Sequence, residues 1–84
     1  MINVIICDDQ EIVCEGLQRI LDADQEIEVK AIAQNGVELL EKLETIEVDL
    51  ILMDLKMPIM NGVIATRKVL EKYPDIKILI LTTF

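Results

Sequence analysis

Short continuous apolar runs alternate with helix-spaced apolar stripes along the 84 residues. INVIIC (2–7), IEVKAIA (27–33), VDLILM (48–53) and IKILIL (76–81) are β-branched or leucine-rich and of strand length. Between them, Ile12, Val13, Leu17, Ile20 and Leu21 mark one helical stripe. Val37, Leu39, Leu40 and Leu43 mark a second, and Val63, Thr66, Val69 and Leu70 a weaker third that Pro74 closes. The pattern predicts strands over about 2–7, 27–33, 48–53 and 76–82 and helices over about 10–22, 36–45 and 62–73. Strands that alternate with crossover helices build right-handed βαβ units on a parallel sheet, so the predicted class is α/β in the order βαβαβαβ.

The strands are not equivalent. In the second, Glu28 and Lys30 alternate with Ile27, Val29 and Ala31, the pattern of an edge strand with one wetter face. The first, third and fourth are apolar on both faces over most of their length, as strands covered on both sides are. Only Thr82, Thr83 and Phe84 follow the fourth, which would leave IKILIL as a bare sheet edge, uncharged beyond Lys77. The expectation is therefore a sheet truncated after its fourth strand, within one domain over residues 1–84.

Charge narrows the function. Eight basic against sixteen acidic residues give a net charge of -8, which argues against nucleic acid as a direct partner of this segment. Cys7 and Cys14 lack C-x-x-C spacing and sit among apolar residues, so they read as reduced core residues. The start MINVIICDDQ has no basic n-region, and no run is long enough to span a membrane, so a soluble, cytoplasmic protein is expected.

The candidate chemistry lies at the carboxyl ends of the strands. Asp8 and Asp9 follow the first strand, and Asp54 follows the third at the head of a proline loop, in VDLILMDLKMPIMNG. An edge second strand sets the first and third side by side, at the switch point where open α/β sheets bind ligands. Three converging carboxylates repel one another unless a hard cation joins them, and Mg2+ suits few carboxylates with backbone oxygen, water and phosphate. Alone, Asp9 reads as the N-cap of the first helix, and Asn61-Gly62 as the cap and start of the third. Met53, Met57 and Met60 read as packing, since a thioether is a poor partner for a hard cation.

Asp8-Asp9 after the first strand, Asp54 closing ILMD, Met57-Pro58 and Gly62 in the next loop, and Thr82 ending the fourth strand form an ordered set. That set resembles the receiver domain of two-component response regulators. CDDQEIVCEGL and LTTF are most similar to the subfamily with a LuxR-type helix-turn-helix output. The resemblance implies a flavodoxin-like doubly wound sheet, here incomplete, in the order 2-1-3-4. It implies that Asp54 is the phosphoacceptor for a sensor histidine kinase and that Thr82 is the switch residue. Asp9, Asp54 and the backbone carbonyl of Lys56 would hold Mg2+, with Asp8 acting on the metal directly or through its waters. DNA would be reached only through an output domain absent from this chain. The role is that of a signalling phosphoacceptor rather than an enzyme.

Two departures from the family pattern stand out. Members carry a lysine at the end of a fifth strand, and these residues do not include it; Lys77 begins the fourth strand, about 15 to 20 Å from its carboxyl end. Ile64 stands where a glutamate would complete a capping box with Asn61. Two other readings stay open: a Mg2+-dependent aspartate-nucleophile phosphatase, whose usual D-x-D pattern CDDQE does not match, and an inactive homodimer paired through the exposed fourth strand.

Overall fold

The computed structural model describes residues 1–81. Seven elements alternate along them: β1 (Ile2–Cys7), α1 (Glu11–Asp22), β2 (Ile27–Ala33), α2 (Gly36–Leu43), β3 (Leu50–Asp54), α3 (Gly62–Lys72) and β4 (Lys77–Leu81). All strand pairs are parallel, and the sheet order is β2-β1-β3-β4, the α/β arrangement that the sequence predicts.

Strand β1 shows how the layers form, because successive side chains on a strand point to opposite faces. Val4 and Ile6 join Cys14, Leu17 and Leu21 of α1 on one face. Ile5 and Cys7 join Leu39 and Leu43 of α2 and Ala65 and Val69 of α3 on the other. Each fully buried isoleucine or valine contributes about 1.5–3 kcal/mol of transfer free energy, so the paired clusters clamp the central strands from both sides. The carboxyl-terminal halves of β1 and β3 are thereby enclosed, and whatever follows them is held in a fixed place.

Two helical stripes differ from the sequence expectation. Ile12 is 80% exposed and Ile20 is also exposed, while α1 buries the smaller Cys14. On α3 the buried face is Gly62, Ala65 and Val69, whereas Val63 and Leu70 are exposed. Small residues let these helices lie close to the sheet, and a stripe judged by large apolar residues overlooks them.

Several element ends also shift. The third strand begins at Leu50 rather than Val48, and it includes Asp54, which pairs with Leu81 as a rung of the sheet. Asp49 bridges to β1 just before that start: its Oδ2 accepts from Asn3 N at 2.8 Å and its own N–H donates to Asn3 O at 2.8 Å. Helix α2 stops at Leu43, where Thr45 N donates to Lys42 O in a tight turn. Thr82, expected at the end of the fourth strand, lies outside the described residues.

The two sheet edges are unlike. On β2, Val4 pairs with Val29 but Ile5 pairs with Ala31, so Lys30 is bulged out of the ladder. Lys30 and Glu28 form an exposed ion pair at 3.2 Å, which stabilises little but keeps that edge charged. On β4, Leu79 and Ile80 are exposed on opposite faces. Among the described residues, no helix is long and apolar enough to cross a membrane.

Candidate acidic site at the carboxyl ends of the central strands

Strand order brings the acidic residues together. β1 and β3 are neighbours, with Cys7 opposite Met53, so the residues that follow Cys7 lie beside Asp54. Asp8 prolongs the ladder by donating its N–H to Ala33 O at 2.9 Å, which locks its backbone to β2. Asp8 is 1% exposed and Asp54 4%, while Asp9 is exposed. One carboxylate oxygen from each of Asp8, Asp9 and Asp54 lies within 4.8 Å of the other two.

Local hydrogen bonds orient two of the three. Asp8 Oδ1 accepts from Gln10 N at 2.8 Å, and Asp54 Oδ1 accepts from Lys56 N at 3.3 Å. Burial pushes the Asp8 carboxyl above its ordinary range; the Gln10 N–H opposes this, and the Asp54 and Asp9 carboxylates add to it. Asp9 is not the cap of α1. That position belongs to Gln10, whose side chain makes no capping bond, so the Asp9 carboxylate lies with its acidic neighbours instead. No ion pair reaches Asp8, Asp9 or Asp54 among the described residues, and Lys77 pairs with Leu50 at the far end of β3.

The loop after Asp54 is tied at several points. Gly62 N donates to Leu55 O at 3.0 Å, and a side chain on Gly62 would collide with the Asp54 carbonyl oxygen. Asn61 Oδ1 accepts from Ile64 N at 3.0 Å, so the Asn61 cap forms although Ile64 rules out the full capping box. Met60 N donates to Pro58 O at 2.7 Å, closing a γ-turn around Ile59, whose φ is 68°. Met57 is buried with its Sδ 3.5 Å from Cys7 Sγ, and Met60 packs against the same cluster, which is the packing role read from the sequence. Cys7 and Cys14 are free and buried.

A cleft of about 430 Å³ adjoins the cluster, lined by Asp8, Glu11, Glu15, Gln34 and Glu38 among others. A larger one, about 530 Å³, opens near Asn3, Asp49, Tyr73 and Pro74 at the amino ends of the strands, away from the carboxylates. Of the three clustered carboxylates only Asp8 lines the smaller cleft, which runs between α1, β2 and α2.

Asn35 and Gly36 carry no role in the sequence reading. Here Asn35 caps α2 by accepting from Glu38 N at 2.9 Å, and Gly36 N donates to Met60 O at 3.1 Å. The signal was the run Asn35-Gly36-Val37-Glu38, a capping residue with glutamate three positions on.

The sequence pattern of the response regulator receiver domain matches residues 4–84. This chain belongs to that family. Over all 84 residues the receiver is 48% identical to transcriptional regulatory protein LnrK of Bacillus subtilis (strain 168), of which it spans 38%. It is 43% identical over 81 residues, 96% of its length, to transcriptional regulatory protein DegU of Brevibacillus brevis, spanning 34% of that protein. Its fold superposes on the response regulator domain of Thermotoga maritima CheB with a TM-score of 0.90 at 30% identity, covering 95% of this chain and 59% of the other. On Salmonella typhimurium RcsB the TM-score is 0.93 at 25% identity, covering 100% and 44%. The receiver thus matches well under half the length of the relatives LnrK and DegU.

Proposed function

We propose that this receiver accepts a phosphoryl group on Asp54 from a phosphohistidine of a sensor kinase, at a site that takes Mg2+. The observation that carries the reading is the convergence of Asp8, Asp9 and Asp54 within 4.8 Å, with two of the three buried. Hard carboxylate oxygens in that number suit Mg2+ rather than a softer ion, and the backbone carbonyl of Lys56 would complete the protein's share of ligands. When bound, the ion neutralises charge on the carboxylates and on the transferring group.

The side chains divide the remaining work. An Asp54 carboxylate oxygen attacks phosphorus, the phosphorus–nitrogen bond of the donor breaks, and the donor imidazole leaves with the electron pair. The product is an acyl phosphate on Asp54. The Lys56 N–H holds Asp54 Oδ1, and the Gln10 N–H holds Asp8 Oδ1, so both carboxylates meet the incoming group already oriented. Thr82 belongs to the same proposal as the switch residue, though it lies outside the described residues.

The reading extends to a cytoplasmic signalling protein whose output is a LuxR-type DNA-binding domain. Its support is that LnrK and DegU are transcriptional regulatory proteins and that RcsB forms a complex with DNA. The test is to incubate the chain and its Asp54→Asn variant with a small phosphodonor, with and without Mg2+, and weigh both. A Mg2+-dependent gain of one phosphoryl group in the parent alone is expected. Labelling that persists in Asp54→Asn would move the phosphoacceptor elsewhere.

A further inference from the structure

The loop that follows Asp54 owes its shape to a residue outside it. Met60 is bonded on two sides: its N–H donates to Pro58 O at 2.7 Å across Ile59, and its carbonyl accepts from Gly36 N at 3.1 Å. The first bond closes the turn in which Ile59 has φ 68°, a region that costs a β-branched residue on the order of 1–3 kcal/mol. Ile59 is 82% exposed, so its own side chain supplies little packing to hold that turn. Strain of this kind persists only where the surroundings impose it. The bond from Gly36 ties the turn to a separate, regular element.

Gly36 also leaves room. A Cβ at that position would lie 2.7 Å from both Met60 Cγ and Met60 Sδ, and 2.9 Å from Ala65 Cβ, closer than real side chains approach. Its φ is not positive, so backbone conformation does not call for glycine. Helix propensity argues the other way, because alanine would suit the first residue of α2 better. What excludes a side chain is the seat of Met60 and, beside it, the Cβ of Ala65.

We propose that Gly36 is a positioning residue for the phosphoacceptor loop: its amide and its missing side chain together seat Met60 and so hold residues 55–60 beside the acidic cluster. This rests on the reading of Asp54 as phosphoacceptor with the Lys56 carbonyl as a ligand. The N-terminus of α2, remote in sequence from Asp54, thereby sets how the loop meets the metal.

The test compares the parent with Gly36→Ala, Met60→Ala and the double variant, by amide NMR without metal and by Mg2+ titration, with circular dichroism to check folding. Gly36→Ala should shift the Lys56, Met57 and Ile59 amide signals in the metal-free protein and weaken Mg2+ binding by about tenfold. The double variant should bind within about twofold of Met60→Ala alone, because both closer collisions, with Met60 Cγ and Sδ, are gone and only the slighter one with Ala65 Cβ remains. Unchanged loop amides and unchanged Mg2+ affinity in Gly36→Ala overturn the proposal, as does a loss that Met60→Ala leaves in full. If Gly36→Ala does not fold, a folded double variant that binds as Met60→Ala does supports the same contact, and an unfolded one refutes it. A parent without Asp54-dependent Mg2+ binding would overturn the reading of the site itself, while the metal-free amide shifts would still decide whether Gly36 holds the loop.

Discussion

Gly62 is pressed against the backbone of Asp54 so closely that no side chain fits between them. Its N–H reaches Leu55 O at 3.0 Å, and an added Cβ would strike the Asp54 carbonyl oxygen and lie 2.8 Å from Leu55 Cα. Backbone atoms cannot swing aside as the end of a long side chain can. Gly62→Ala should therefore cost about 3 kcal/mol or more of unfolding free energy, read by urea denaturation. A cost near zero would mean that α3 does not start where the carbonyl of Asp54 blocks it.

Asp8→Asn should stabilise the metal-free protein at neutral pH, by about 1 kcal/mol. Asparagine keeps the Oδ1 acceptor that Gln10 N uses, yet removes a charge that burial and two neighbouring carboxylates make costly. The sign with pH follows from the raised folded-state pKa of Asp8. Above the ordinary carboxylate range the unfolded chain has released the proton while the folded one retains it, so the parent loses stability as pH rises through the folded value. Thermal melts across that range should show the slope shrink in Asp8→Asn. Added Mg2+ should raise the melting temperature of the parent more than that of the variant.

Neither cysteine should react while the chain is folded. Burial pushes the Cys7 thiol from 9.0 up to about 12, with the Asp8 charge adding to it, and Cys14 is buried with its pKa raised in the same direction. Iodoacetamide at mildly alkaline pH should leave both unmodified until denaturant is added, then label both. Rapid labelling of the native protein would contradict the packing of Cys7 against Met57.

Ile59→Gly should raise stability by about 1 kcal/mol, measured by chemical denaturation. Glycine removes the cost of φ 68°, and the lost side chain is 82% exposed, so little packing goes with it. The gain is smaller than the full strain because glycine has more backbone freedom to lose on folding. A destabilised variant would show that the Ile59 side chain packs more than its exposure suggests.

The fold was legible because period-two and continuous apolar runs record which strands are covered, and Glu28 and Lys30 marked β2 as an edge. The convergence of Asp8, Asp9 and Asp54 followed once that edge was recognised, since the strand order decides which ends meet. Less was legible where packing is by small residues. Ala65 and Gly62 carry the buried face of α3, and composition does not separate a small residue in a tight contact from one at the surface. Capping was ambiguous for a similar reason: Asp9 suits a helix N-cap by type, and only the bonds from Val13 N and Cys14 N to Gln10 O show that α1 begins one residue later. The tie between Gly36 and Met60 joins residues far apart in the chain, and no local pattern records it.

The unlike edges of the sheet set a limit on growth by strand addition. Lys30 is bulged and paired with Glu28 on β2, so an incoming strand finds its rungs out of step and charged on that side. Strand β4 keeps an even register with β3, from Lys77 opposite Leu50 to Leu81 opposite Asp54, and offers the next position. Among the described residues the two edges therefore differ in kind, and a twin that paired along β4 would close as an isologous pair instead of extending into a filament.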